Sequence, residues 1–280
     1  MPNIKDIKDR IGSVEEIRKI TRAMKLVSVA KMQKAQARVE ASSPYIDAMR
    51  GLVARTVQPG DTHPLLEEGG GSAVCLVIVT SDKGLCGNFN SQVIRQAIRS
   101  IEAESSPVRL ACVGRKGRRF FTRGQYEVVE SPEEVFGDVT FQRAEGVADV
   151  LMAQFRDGGC REVRVLANNF RTTILREVTE RVVLPLRGIT GSEEGPSYLF
   201  EPSRGGVLGP LLFDYFRWQV FGMLLESEAA EHVARMQAMD AATSNAEDLM
   251  DRLRLQYNRA RQQSITTEIM DIVGGAEALR

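Results

Sequence analysis

Both ends of the chain carry apolar residues at the spacing of a long amphipathic helix. From residue 4 to residue 27 these residues recur every three or four positions, with charged residues between them. This apolar stripe consists of Ile4, Ile7, Ile11, Val14, Ile17, Ile20, Met24 and Val27. Helical composition continues to about residue 56, and a second long stretch without clusters of turn-forming residues covers residues 211–273. We therefore predict one long helix at each end of the chain.

The length of the two helices determines how they must pack. The first helix is predicted to begin at Asn3, a good capping residue, and Pro44 lies inside it as a candidate kink. At about 1.5 Å per residue each helix would reach on the order of 80 Å, whereas the residues between them would fold to roughly 30 Å across. An amphipathic helix needs a partner for its apolar stripe, and the other long helix is the nearest candidate. We predict that the two helices pair antiparallel.

Between the helices, short continuous apolar runs replace the helical spacing. Three of these runs are typical of buried parallel strands and a fourth alternates like an edge strand; they are residues 73–80 (AVCLVIVT), 108–113, 162–168 and 177–184. Helices are predicted over residues 90–103 and 141–155, so strands and helices alternate. The predicted fold class is α/β: an antiparallel coiled coil of long N- and C-terminal helices with an inserted Rossmann-like α/β domain.

Glycine and proline mark the borders of the inserted domain. Pro59, Gly60, Pro64 and the triplet 69–71 follow the first helix, and residues 188–210 are rich in Gly, Ser and Pro. The predicted segments are therefore a coiled-coil helix over residues 1–57, the α/β domain with its flanking loops over 58–206, and a second coiled-coil helix over 207–280.

The chain has no net charge, with 37 basic and 37 acidic residues, so its overall charge predicts no partner. The distribution of charge is more informative. Residues 18–38 contain seven basic residues and no acidic one, while acidic residues outnumber basic ones over much of the C-terminal helix. The basic run is Arg18, Lys19, Arg22, Lys25, Lys31, Lys34 and Arg38. Either this run is a solvated helix face, or it faces acidic groups of the other helix or of a partner.

Cysteine usage and hydropathy indicate the compartment. The four cysteines form no C-x-x-C pair and have no neighbouring histidine, so neither a metal site nor a disulfide framework is predicted. Cys75 and Cys112 lie within apolar runs, where a thiol is usually a small buried hydrophobe. No apolar run approaches the roughly 20 residues that span a bilayer, and the first residues do not resemble a signal peptide. We expect a reduced cytosolic protein that is neither exported nor inserted.

Candidate chemistry is sparse. The loop over residues 80–88 follows the first strand, where a doubly wound fold would bind phosphate, but it matches neither G-x-G-x-x-G nor G-x-x-x-x-G-K-[ST]. Gly84 and Gly87 are interpreted as residues of a tight strand-to-helix turn. The basic cluster at 114–119 is either an anion site or the solvated start of a helix. No catalytic residue, cofactor site or metal site is predicted.

Three segments of the chain resemble the F-type ATP synthase gamma subunit. Residues 265–276 (ITTEIMDIVGGA) match the C-terminal signature of that family, which has the form I-T-x-E, two residues, D or E, three residues, G-A. Residues 20–32 (ITRAMKLVSVAKM) resemble its N-terminal helix, and residues 82–87 (DKGLCG) resemble its segment after the first strand. The three segments occur in the family's order and extend the resemblance over essentially the whole chain.

The resemblance implies a rotor of a bacterial enzyme. The coiled coil would stand inside a hexamer of alternating alpha and beta subunits, while the α/β domain would join the epsilon subunit and the membrane ring of c subunits. One copy per complex would couple proton flow to ATP synthesis and hydrolysis at the beta-subunit sites without doing chemistry itself, and without a cofactor. It would lie peripherally on the cytoplasmic face of the plasma membrane. No inserted cysteine pair is present, so thiol regulation is not expected.

The resemblance also implies partner contacts. Met24 and Lys25, with Arg22 beside them, match positions near an acidic loop of the beta subunit. Arg261, Gln262 and Thr266 match positions that contact the beta subunit near the top of the shaft, and Glu268 belongs to the same terminal signature. The apolar end of the last helix, which includes Ile265, Ile269 and Ile272, predicts a surrounding sleeve. An alternative hypothesis is a nucleotide- or small-ligand-binding α/β enzyme that dimerises through its terminal helices.

Overall fold

The computed structural model describes residues 4–124, 126–129, 132, 135–170, 176–189, 198–201 and 203–277. Its helices are α1 (Ile4–Thr56), α2 (Phe89–Ala103), α3 (Arg115–Thr122), α4 (Phe141–Arg156) and α5 (Arg204–Glu277). Its strands are β1 (Ala73–Val79), β2 (Val108–Val113), β3 (Val128–Val129), β4 (Cys160–Phe170) and β5 (Arg176–Leu184). The predicted α/β fold class with two long terminal helices is confirmed. The predicted cap Asn3 lies outside the described residues.

The residues divide into two compact units, to which both long helices contribute. The first, called the terminal unit, contains the residues up to Ser28 and those from Met236 onwards. The second, called the central unit, is Val29–Arg235. In the described part of the chain, no helix is both long enough and apolar enough to cross a membrane.

In the terminal unit α1 and α5 run antiparallel. Arg18 Nη1 lies 3.7 Å from Glu247 Oε1, and Lys25 Nζ lies 2.5 Å from Asp240 Oδ1. Between these pairs the hydroxyl oxygens of Thr21 and Thr243 are 2.9 Å apart. Residue numbers rise along α1 as they fall along α5, which confirms the predicted pairing.

The same direction of pairing holds inside the central unit. Arg38 Nη1 lies 3.6 Å from Glu228 Oε2, and the rings of Tyr45 and Trp218 are 4.3 Å apart between centroids. The start of α5 is tied to the end of α1, because Arg204 Nη1 donates a hydrogen bond to the backbone oxygen of Thr56.

The central unit is built on a five-stranded sheet in the order β3-β2-β1-β4-β5. Neighbouring strands are parallel except that β5 is antiparallel to β4 at the edge. Strand β1 is buried along its whole length, as its continuous apolar sequence predicts. Its alternate side chains therefore enter two different cores.

One core lies between the sheet and the helices α1, α4 and α5, and includes Cys75 and Val77 of β1 together with Phe155 and Phe216. The other lies on the opposite face, where Leu76 and Ile78 of β1 pack with residues of α2 and α3. Burial of apolar side chains on both faces of the sheet is the main favourable contribution to the stability of this unit.

The structure corrects the predicted beginning of the last helix. Helix α5 begins at Arg204 and includes Gly205, Gly206 and Pro210, although these residue types normally indicate a loop. The tertiary structure overrides the local preference, because Arg204 forms an ion pair with Asp61 and the neighbouring Leu208 is buried. The hydrogen bond from Arg204 also lowers the pKa of Asp61, despite the opposing effect of burial.

Two short elements were not predicted as such. The basic cluster at 114–119 begins helix α3, which agrees with the interpretation of this cluster as a helix start. Strand β3 has only two residues, too few for a recognisable pattern. Helix α1 is continuous through Pro44, and a kink at that residue stays a prediction.

Candidate functional site

The face of α1 that packs on α5 in the terminal unit agrees with the predicted apolar stripe only in part. Ile7 is 5% exposed, as predicted, and Ile11 and Val14 are half-buried. Further along α1 the covered positions are mostly polar: Thr21 and Ser28 are buried, and Arg18 and Lys25 are half-buried, as is Met24. These positions follow a spacing of three and four residues, which is the seam of a coiled coil.

The apolar residues that the stripe predicted to be covered lie outside this seam. Ile17, Ile20 and Val27 are each more than half exposed, and Leu26 is 64% exposed. The prediction was wrong for Ile17, Ile20 and Val27 because the apolar stripe advances by three residues from Val14 to Ile17 and by three again to Ile20. A coiled-coil seam alternates steps of three and four residues, so these side chains lie about one position, or about 100° around the helix, away from the seam. An exposed apolar face of this size is unusual for a helix that acts alone in water. We call these four residues the outward face of α1.

The basic run is divided between the seam and solvent. Arg18, Lys25 and Arg38 pair with acidic residues of α5, so the predicted charge complementarity of the two helices is confirmed at these positions. Arg22 and Lys31 are exposed and form no ion pair within the described part of the chain. Arg22 therefore leaves an unpaired positive charge beside the outward face in the terminal unit.

The predicted contacts around residue 24 have different environments. Met24 is half-buried, and its backbone oxygen accepts a hydrogen bond from Ser28 Oγ at 2.7 Å. Lys25 is held by Asp240 but keeps 38% of its side chain exposed. The structure therefore brings Lys25 and Asp240 together and leaves Arg22 in solvent.

The end of α5 is exposed on all its described sides. The last buried residue of α5 is Leu253 among those whose burial is described, and the apolar residues that follow it are open to solvent. In the observed register, Ile4 lies opposite about residue 261, so the rest of α5 has no part of α1 beside it. Ile269, Ile272 and Val273 are each more than half exposed, with Ile272 at 71%.

The four predicted contact residues in this segment are also exposed: Arg261, Gln262, Thr266 and Glu268. Thr266 Oγ1 donates to the backbone oxygen of Gln262 at 2.9 Å, and Glu268 Oε1 accepts from Ser264 Oγ at 3.1 Å. These bonds stay within one helix, so they leave the surface of α5 open to a partner.

The loop after β1 is rigidly held in the central unit. Ser81 N donates to Asn90 Oδ1 at 2.9 Å, and the carboxylate of Asp82 accepts the backbone N–H groups of Arg115 and Phe136. Arg235 Nη1 of α5 donates to the backbone oxygen of Gly84 at 2.6 Å. The loop is therefore fixed to α2, α3 and α5.

The turn in this loop differs from the prediction. Gly87 has a φ of 59°, which confirms its role as a turn glycine, whereas Gly84 is not in the left-handed region. The second left-handed residue is Leu85, with a φ of 63° and a side chain that is 65% exposed. A strained, exposed leucine on a rigid loop was not identified from the sequence, because nothing in the motif shows which residue adopts this conformation.

The phosphate-binding interpretation of this region finds no support at α3. A cavity of about 640 Å³ is lined by Asp82 and by cationic side chains of α3. The Asp82 carboxylate occupies the N-terminus of that helix, 2.9 Å from the backbone nitrogen of Arg115. A carboxylate of the chain itself thus takes the position that a bound phosphate would need.

The four cysteines are buried, and none of them forms a disulfide. Burial raises the pKa of the Cys112 thiol to about 12, which makes it unreactive, and its role as a small hydrophobe is confirmed. Cys75 and Cys160 share a hydrogen bond that raises the pKa of Cys75 and lowers that of Cys160 to about 7. Cys86 accepts a hydrogen bond from Asn90 Nδ2 at 3.3 Å.

Comparisons with known proteins agree with these features. The fold defines a class of protein in which an α/β unit is inserted between two long terminal helices, and a family model described as ATP synthase matches residues 3–279. The ATP synthase gamma chains of Chlorobium luteolum and Desulfitobacterium hafniense are 38% and 41% identical to this chain, with 100% of each chain covered. The chain therefore belongs to the ATP synthase gamma chain family.

Solved structures show the same fold. A chain from the central stalk and c-ring of the Tetrahymena thermophila mitochondrial ATP synthase has a TM-score of 0.60 and 26% identity, covering 80% of this chain and 99% of that one. A chain from the OSCP/F1/c-ring part of the Euglena gracilis enzyme in rotational state 3 has a TM-score of 0.71 and 18% identity, covering 99% and 94%. The family resemblance seen in the sequence is confirmed.

Proposed function

We propose that this chain is the rotating central shaft of a proton-translocating F-type ATP synthase. The observation that carries the proposal is the outward face of α1, on which Ile17, Ile20, Leu26 and Val27 are exposed although α5 packs on the other side of the helix. Apolar surface that the chain leaves in water is stabilised when another protein covers it. The alternating alpha and beta subunits of the synthase are the proposed cover.

Torque follows from the difference between the sides of the helix pair. In the terminal unit one side of α1 packs on α5, while the exposed side carries apolar residues such as Ile20 and Val27 together with the cation Arg22. A shaft whose sides differ presents a different surface to each of three surrounding beta subunits. Rotation would therefore favour a different conformation of each catalytic site in turn, by differential contact rather than by chemistry.

The proposed contacts are the residues that match the family pattern. Arg22, Met24 and Lys25 would face an acidic loop of the beta subunit, where Arg22 supplies an uncompensated charge. The terminal contacts would be Arg261, Gln262, Thr266 and Glu268. They lie on the exposed end of α5, which the alpha and beta subunits would surround. Each would act by contact and none as a catalyst.

The remaining assignments complete the proposal. The chain would be a noncatalytic subunit, present once per complex, with the segments 1–57 and 207–280 forming the shaft. Segment 58–206 would bind the epsilon subunit and the ring of c subunits. The complex would place it at the cytoplasmic face of a bacterial plasma membrane as a peripheral subunit.

Reconstitution with purified alpha and beta subunits tests the proposal. The complex should hydrolyse ATP when this chain is present, and a chain carrying both Leu26→Asp and Val27→Asp should fail to support that activity while keeping its own unfolding temperature. Leu199→Asp is the matched control, because Leu199 is 91% exposed in the central unit. Full activity with the double variant would contradict the proposal.

Titration of the isolated chain with ATP separates this function from the alternative enzyme. A rotor subunit should bind no nucleotide in isolation, whereas an α/β enzyme should bind ATP or another ligand and form a symmetric dimer. Nucleotide binding by the isolated chain, together with failure to assemble with alpha and beta subunits, would favour the alternative.

A further inference from the structure

A buried carboxylate lies where three parts of the central unit meet. The side chain of Glu228 on α5 is 4% exposed. Its Oε2 atom makes no hydrogen bond within the described part of the chain and lies 3.6 Å from Arg38 Nη1 of α1. A buried carboxylate oxygen without a hydrogen-bond donor is costly when the group is ionised, and one cation at this distance offsets the cost only partly.

Arg38 connects the same site to the segment that precedes α4, residues 135–140. Its Nη1 lies 3.3 Å from Asp138 Oδ1, and its Nη2 donates a hydrogen bond to the backbone oxygen of Val139. Arg38 is therefore shared between Glu228 and this segment. Thr140, the last residue of the segment, caps α4 by accepting a hydrogen bond from Arg143 N at 3.3 Å.

The neighbouring carboxylate on the same helix has a different environment. Glu231 accepts a hydrogen bond from Arg235, and His232 Nδ1 lies 2.9 Å from its Oε2. Burial favours the neutral form of Glu231, but His232 and Arg235 outweigh it and the pKa of Glu231 is lowered. Glu231 is thus a satisfied anion one turn away from Glu228.

At Glu228 burial has the larger effect. It raises the pKa of Glu228, and the charge of Asp138 acts in the same direction; His232, Arg38 and the backbone N–H of Val139 oppose this only partly. The charged and titratable groups around Glu228 are therefore Arg38 from α1, Asp138 from the segment before α4, and Glu231, His232 and Arg235 from α5 itself.

We propose that Glu228 is a proton-controlled latch that, together with Arg38, fastens residues 135–140 and the start of α4 to the long helices of the central unit. The latch involves residues of this chain alone, so it can be tested on the isolated chain, independently of the proposed rotor function. Protonation closes the latch and ionisation loosens it.

The direction follows from the linkage between proton binding and structure. The arrangement with Glu228 buried binds the proton more tightly than an arrangement in which water reaches the carboxylate, since the pKa is raised only in the first. The contribution of the latch is therefore fully present below the ordinary glutamate pKa of about 4.3 and is lost as the pH rises through the raised value. Loosening would expose the Arg38 site and free the segment before α4.

The only tryptophan of the chain reports on this segment. The ring of Trp218 on α5 packs on Phe141, the first residue of α4, with centroids 4.5 Å apart. Fluorescence of the full-length chain should shift to longer wavelength as the pH is raised from about 4 to 8, with far-UV circular dichroism unchanged. The midpoint should lie above the ordinary glutamate value. Absence of such a transition would overturn the proposal.

Two variants and one control show whether Glu228 causes the fluorescence transition. Glu228→Gln should abolish it, whereas the control Glu40→Gln, at an exposed carboxylate of α1, should retain it. Asp138→Asn removes a negative charge that raises the pKa of Glu228, so it should move the midpoint to lower pH; Asp138 is 63% exposed, and this variant should fold. A transition that persists in Glu228→Gln, or a midpoint that Asp138→Asn leaves unchanged or raises, would show that another group titrates.

Discussion

Lys25 on α1 and Asp240 on α5 are 215 positions apart in the sequence, and their Nζ and Oδ1 atoms are 2.5 Å apart in the terminal unit. The pair occupies a seam position at which an apolar residue is usual. Its presence there leaves the apolar residues Leu26 and Val27 on the outside of α1. Because polar residues of α1 such as Lys25 face α5 at this level, the neighbouring apolar residues remain exposed.

The ion pair itself should contribute little to stability. A double-mutant cycle with Lys25→Ala and Asp240→Ala should give a coupling free energy of about 0.2–1 kcal/mol, because both side chains are substantially exposed. The coupling should fall as salt is added. Denaturant unfolding of the four chains measures it, with Lys31→Ala as a control at an exposed, unpaired site. A salt-independent coupling well above this range would show that the pair is effectively buried.

Replacement of Met24 by lysine should affect coupling more than folding. Met24→Lys places a second cation beside Lys25, near the proposed acidic loop of the beta subunit, while Met24 is only half-buried in the chain itself. We expect assembly to survive and proton transport per ATP hydrolysed to fall. Met24→Leu is the control that keeps size and polarity. Unaltered proton-coupled ATP synthesis with Met24→Lys would count against the contact.

The two ends of the apolar pattern should respond differently to truncation of a side chain. Ile7→Ala should cost the isolated chain about 2–4 kcal/mol, because Ile7 is buried in the seam. Ile272→Ala should cost less than about 0.5 kcal/mol, because Ile272 is exposed at the end of α5. Denaturant unfolding of the two variants measures the loss of unfolding free energy in each. If Ile272→Ala also leaves ATP hydrolysis and assembly of the reconstituted complex unchanged, the proposal that partner subunits surround this end of α5 is wrong.

Gly114, at the end of β2, should tolerate no side chain. Its φ is +93°, and a Cβ atom would lie 1.9 Å from the backbone oxygen of Thr80. Gly114→Ala should therefore reduce the free energy of unfolding by more than about 2 kcal/mol. Gly137 is the matched control, since it also has a positive φ but open space around it, so Gly137→Ala should cost about 1 kcal/mol. Equal losses of unfolding free energy in the two variants would mean that the backbone at Thr80 shifts at little cost to accommodate the new Cβ atom.

Much of the fold follows from local pattern. The apolar run of residues 73–79 can only be a strand that is covered on both sides, and it forms the centre of the sheet. The length of the terminal helices predicts that they pair with each other, and the signature at residues 265–276 predicts the family. The start of α5 was missed because its stability comes from Asp61, a residue distant in sequence, rather than from its own glycines and proline.

The sequence by itself determined the two long helices, the α/β insertion and the membership of the gamma chain family, because periodicity and motif are properties of neighbouring residues. Only the tertiary structure decided which face of α1 is covered, because the seam with α5 alternates steps of three and four residues while the apolar stripe takes two successive steps of three, which leaves Ile17, Ile20 and Val27 outside the seam. It also decided that Glu228 is buried beside Arg38, because this burial depends on groups that the sequence places far apart.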